Sequence, residues 1–169
     1  MESKLGMLHD TEDGRWALRF ERRLAHSPAK VWRAITDPEH LGAWFPAVVE
    51  FDLTPGAKVR FDPTPEQQRR YGIPVERAGH GEIIRAEPPR LLEYTWDGET
   101  LLWELTADGD GCLLVFTNIF TDRDQATPAA AGWHAGLEVV QAQLDGRAID
   151  WSIWDRAERL TADYAALGG

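Results

Sequence analysis

The sequence holds a single cysteine, Cys112, so no disulfide can form within the chain and no cysteine cluster can hold zinc. Basic residues are outnumbered: 18 Lys and Arg face 28 Asp and Glu, leaving a formal charge of -10, and no basic block appears anywhere. A chain of that sign lacks the footprint that neutralises phosphates, which argues against nucleic acid and anionic membranes as partners. Long apolar runs are absent too, and the N-terminal Met1-Glu-Ser-Lys-Leu-Gly6 offers neither a signal peptide nor a membrane span. The five histidines, His9, His26, His40, His80 and His134, are scattered without metal-ligand spacing, so no metal and no cofactor are expected. There is no Gly-x-Ser-x-Gly elbow for nucleophilic catalysis. Gly109 and Gly111 precede a strand and not a helix, which suits a hairpin and not a phosphate loop. Together these absences point to a cytoplasmic protein, a single domain over 1–169.

What the chain has in excess is tryptophan, eight residues in all, within an otherwise ordinary composition of 43% hydrophobic and 27% charged residues. The period-two placement of Trp16, Leu18 and Phe20 predicts a strand from Trp16 to Leu24. Ser27 followed by Pro28 is a helix start, with Val31, Ala34 and Ile35 on one face. That helix stops at Asp37-Pro38, and a short second one, Glu39 to Phe45, ends against Pro46. Alternating strands follow: Val48–Leu53 and Ala57–Phe61 around Thr54-Pro-Gly56, Gly81–Glu87 and Leu91–Trp96, then Leu101–Thr106 and Cys112–Phe120. Short turns between consecutive strands imply an antiparallel meander. The stretch 62–79, with three prolines and no sustained period, reads as a long loop over the sheet. Helix returns from Ala129 to Leu144, and a further stripe of Ile153, Ala157, Leu160, Tyr164 and Leu167 predicts a last helix over about 150–167. Parity turns Leu92, Tyr94 and Trp96 inward, with Leu101, Trp103 and Leu105, and with Leu114, Phe116, Asn118 and Phe120.

Three blocks are familiar: Leu24 to Pro46, Gly81 to Trp96, and Gly132 to Gly146. They resemble the SRPBCC or START-like superfamily, and within it the branch of the activator of heat-shock protein 90 ATPase, homologue 1-like. The resemblance spans roughly 16–146, with 150–167 as an additional segment. It implies an α+β helix-grip (START-like, Bet v 1-like) fold, a curved antiparallel sheet around a long C-terminal helix, with a cavity between them for a hydrophobic or aromatic ligand. It brings no universal catalytic residue. Carried onto this chain, it places Trp133, Leu137, Val140, Gln141 and Leu144 on the helix lining the cavity, and Trp44 and Phe45 at its mouth.

Trp96, Trp103 and Trp133 converge beneath one helix if the parity holds, either as core or as pocket wall. Trp16 and Trp32 read as framework, and Trp151 and Trp154 as tail. Phe116 lies on the inward parity, and Tyr94, Asn118, His134 and Gln141 are the polar groups expected to face the same space. His134 and Glu138 share a helix face at four-residue spacing, as a solvated pair or as an acid–base pair. Ligand binding without catalysis is the leading expectation. The alternatives are a chaperone-cofactor-like module acting on a chaperone or client protein, and a cyclase or hydrolase using polar cavity residues. The apolar stripe after Gly146 leaves room for a homodimer or for burial within the chain.

Overall fold

The structure is a computed structural model and describes residues 4–74 and 76–165; Leu167 of the last stripe lies outside them. Seven strands form one antiparallel sheet: β1 Met7–Asp10, β2 Trp16–Leu24, β3 Lys58–Phe61, β4 Gly79–Glu87, β5 Leu91–Trp96, β6 Glu99–Asp108 and β7 Gly111–Phe120. Their order is β1-β2-β7-β6-β5-β4-β3, so the meander from β3 to β7 is closed by the N-terminal hairpin. The helices are α1 Pro28–Thr36, α2 Pro38–Trp44, α3 Pro65–Tyr71, α4 Ala126–Leu144 and α5 Ile153–Tyr164. The sheet carries α4 across its inner face, which is the helix-grip architecture that the resemblance implies.

Local chemistry accounts for the boundaries. Ser27 caps α1 through the Lys30 amide, and Asp37 ends α1 while its side chain caps α2 through the Glu39 amide. Each helix then begins with proline, whose missing N–H costs nothing in the first turn. Asp97 and Gly98 both hold positive φ, 49° and 88°, and join β5 to β6 in a two-residue hairpin loop. The Ala57 amide donates to the Thr54 carbonyl across Pro55 and Gly56, which confirms that turn.

Two expectations are corrected. The segment 62–79 is not all loop, because Thr64 and Gln67 form a reciprocal capping box that starts α3, and Gly72 in the left-handed region stops it. Val48–Leu53 is not a strand. Its burial does alternate, with Val49 buried and Phe51 and Leu53 half-buried, while Val48, Glu50 and Asp52 are exposed; but among the described residues its one ladder contact is the bridge from Val48 to Asp62. The alternation comes from packing, since Phe51 lies 4.9 Å from the Tyr94 ring, and not from hydrogen-bonded pairing. The edge strand β1 is an addition to the sequence reading; its four residues are mostly exposed and carry no apolar alternation.

The inward parity holds along β5, β6 and β7: Leu92, Tyr94, Leu101, Trp103, Leu105, Leu114, Phe116, Asn118 and Phe120 are buried. Against them lies α4, buried on most of its circumference because the sheet covers one side and α5, α1 and α2 the others. Small residues permit that closeness: a methyl group on Gly136 would stand 3.2 Å from the Trp44 ring. The stripe after Gly146 is satisfied within the chain, with Leu160 and Tyr164 buried in the same core cluster as α4.

Candidate functional site

A cavity of about 620 Å³ opens where α4 passes the β5–β6 hairpin, between α2 and α3 on one side and α5 on the other. Its walls come from every one of these elements. The end of α2 delivers Trp44 and Phe45, because Pro46 prevents the helix from continuing. The hairpin supplies Trp96, Asp97 and Glu99, and β7 contributes Asn118. Along α4, Pro128, Ala129, Gly132 and Trp133 recur at helical spacing, and α5 closes the space with Ile153, Trp154 and Ala157.

Of the residues expected to surround a cavity, Trp44, Phe45, Trp96, Asn118 and Trp133 line this one. Tyr94, Trp103 and Phe116 lie in the core on the same side of the sheet and are fully buried. Trp103 stacks on Phe116 with centroids 4.0 Å apart, and Phe116 meets Trp133 at 4.8 Å. Leu137, Val140 and Leu144 are buried further along α4, and Gln141 is half-buried there. Lining residues outside the earlier expectation include Arg69 of α3, Asp97 and Glu99 of the hairpin, and the α5 trio, Trp154 among them. The capping box at Thr64 was the available signal for α3. The four-residue spacing of Ile153 and Ala157 marks an apolar helix face without saying what it meets.

Three of the indole N–H groups have partners. Trp44 donates to the Ala34 carbonyl at 3.0 Å and Trp103 to the Tyr94 hydroxyl at 3.2 Å. Trp133 donates to Asn118 Oδ1 at 3.2 Å, and Asn118 Nδ2 donates onward to Glu99 Oε1 at 3.0 Å and to the Thr100 carbonyl. The buried amide is therefore oriented by its neighbours: oxygen toward the indole, nitrogen toward the carboxylate. Phe45 stacks on Trp96 at 5.6 Å, and Trp96 stacks almost parallel on Phe61 at 4.2 Å. These rings hold one another in place, which makes the wall preformed.

His134 belongs to a different cluster. Its ring is buried, and Nδ1 lies 2.6 Å from the Tyr164 hydroxyl, which also accepts the Gly6 amide at 2.7 Å. Glu138 receives two hydrogen bonds from Arg156, at 2.7 and 3.0 Å, which clamps α5 to α4. The pair sits beneath α5 and is not part of the cavity wall. Tyr164→Phe keeps the ring packing and removes the hydroxyl that accepts from the Gly6 amide and meets His134 Nδ1, so it is expected to cost about 1–3 kcal/mol in urea unfolding. An unchanged midpoint would show that this bridge is not structural. Cys112 is buried as well, and burial pushes its thiol up, away from the nucleophilic thiolate. Among the described residues there is no group of three or more metal-ligating side chains, and no helix is long and apolar enough to cross a membrane.

A curved antiparallel sheet gripping a long helix, with an aromatic cavity at one end of the grip, defines an SRPBCC fold. Residues 25–146 match the family model described as activator of Hsp90 ATPase homolog 1-like protein, and the chain belongs to that family. No protein with a curated description matches the sequence. Among solved structures, CalU16 from Micromonospora echinospora is 23% identical with a TM-score of 0.70, over 99% of this chain and 97% of that one. BPP1335 from Bordetella parapertussis is 27% identical with a TM-score of 0.71, covering 98% of this chain and 93% of its own. EF2215 from Enterococcus faecalis shares 18% identity and a TM-score of 0.72, with 96% and 91% covered.

Proposed function

We propose that this protein binds a small hydrophobic or aromatic molecule in the cavity between α4, α5, α2, α3 and the β5–β6 hairpin, acting in the cytoplasm. The observation that carries this reading is a space of about 620 Å³ walled by Trp44, Phe45, Trp96, Trp133 and Trp154. That volume lies within the usual range for small-molecule sites, and so does a wall of aromatics with a few fixed polar groups. Membership of a fold that commonly takes hydrophobic ligands supports it further. A catalytic reading built on His134 and Glu138 has less support, because both are committed to the α4–α5 contact.

Binding proceeds by desolvation of apolar surface, at roughly 25 cal/mol for each Å² removed from water. Rings already stacked on one another lose little freedom when the ligand arrives. With four lining tryptophans, intrinsic fluorescence reports occupancy directly. Titration with a panel of fatty acids, sterols and polycyclic aromatics is expected to give saturable quenching for at least one class. A panel that produces only linear, non-saturating changes would remove the proposal.

A further inference from the structure

Resting on that cavity reading, we infer that the preferred ligand carries a positive charge: a protonated or quaternary amine attached to an apolar body. Among the described residues, the charged groups lining the cavity are Glu66, Asp97 and Glu99 against one cation, Arg69. Arg69 is already paired with Glu66, which also takes Arg70 at 2.7 Å. One carboxylate shared by two guanidinium groups leaves positive charge on the α3 side, so the negative charge of the cavity is confined to the hairpin side. Asp97 and Glu99 differ. Asp97 Oδ1 accepts the His80 amide at 2.9 Å and Glu99 Oε1 accepts the Asn118 amide at 3.0 Å, and neither carboxylate has an ion-pair partner among the described residues.

The hairpin geometry presents both at one place. Asp97 opens the two-residue loop and Glu99 follows it as the first residue of β6, while Trp96, paired with Glu99 at the end of β5, stacks on Phe45. A ligand seated against the rings therefore meets two uncompensated carboxylates at the rim. Aromatic faces add to the same preference, since a ring quadrupole attracts a cation and not an anion. The molecule shows this use of one wall residue: the Arg70 guanidinium stands 5.6 Å from the Trp154 ring centroid. A net charge of -10 extends the bias to the approach path.

The test is a matched set of probes with one body and three heads: naphthylethylamine, naphthylethanol and naphthylacetate, titrated by calorimetry at neutral pH and low salt. The amine is expected to bind about tenfold tighter than the alcohol, and the carboxylate weakest. Asp97→Asn combined with Glu99→Gln keeps the hydrogen-bond acceptors and is expected to bring the amine to the affinity of the alcohol, with circular dichroism confirming the fold. Amine and alcohol binding equally, or the carboxylate binding tightest, overturns the charge preference and leaves the hydrophobic cavity standing. An amine advantage that survives in the double variant overturns its assignment to Asp97 and Glu99. Failure of all three probes to bind overturns the cavity reading itself.

Discussion

Gly132→Phe is expected to lower ligand affinity at least about tenfold while leaving the melting temperature equal or higher. Gly132 lies on the exposed face of α4, lines the cavity, and, apart from its chain neighbours and its own helix backbone, has no described heavy atom within 4 Å of the position a Cβ would occupy. A ring placed there enters ligand space and not packed protein. Glycine inside a helix is also a poor helix former, so the replacement recovers about 0.5 kcal/mol of helix propensity. Binding and folding therefore move in opposite directions. A destabilised mutant would instead lose both together. Fluorescence titration alongside thermal melting separates the cases, and undiminished affinity in the variant would place the ligand elsewhere.

Gly132 also illustrates how much of the site was legible beforehand. It falls inside a block that marks the family, and helical spacing puts it one turn from Gly136 and beside Trp133. Period alone assigns these three to one helix. It does not say that Gly136 packs under Trp44 while Gly132 faces open space, because that depends on where α2 and α5 dock. The same distinction runs through the aromatics. Two-residue parity put Trp96 and Trp103 on the same inner side of the sheet, and the structure keeps both there. Depth is the missing coordinate: Trp103 sits mid-strand under α4 and is fully buried, whereas Trp96 ends its strand and stays half-buried at the cavity.

The strands and caps were readable because their causes are local. Ser27-Pro28 and Asp37-Pro38 satisfy helix ends with their own side chains, and Thr54-Pro55-Gly56 needs only its own backbone. The cavity has no local cause. Its outer wall forms where α5 meets α3 across sequence separations of more than eighty residues, as in the Tyr71–Trp154 ring contact at 5.8 Å. Trp154, read from sequence as part of a tail, becomes a wall residue only through that docking. For Val48–Leu53 the failure was of another kind. Alternation reports which side chains are covered, and a segment packed on Tyr94 alternates just as a paired strand does.

A comparison of two tryptophans turns that distinction of depth into a measurement. Trp103→Ala is expected to cost about 3–5 kcal/mol, a large share of the stability of an ordinary domain. The ring has no exposed surface, stacks on Phe116 at 4.0 Å, and meets Trp44 edge-on at 5.7 Å. Its removal also takes the N–H donor from Tyr94, a phenol that burial pushes up and keeps neutral. Neither α4 nor the sheet can collapse into the gap without disturbing the other. Trp154→Ala is expected to cost about 1 kcal/mol or less, since that ring is half-buried and its contacts are with Arg70 and Tyr71 at the cavity edge. It should nevertheless weaken binding by removing one face of the ligand's enclosure. Guanidinium unfolding read with ligand titration gives both quantities for each variant. Equal stability losses for the two would mean that α5 belongs to the cooperative core, and that the cavity between it and α4 is braced as firmly as the sheet.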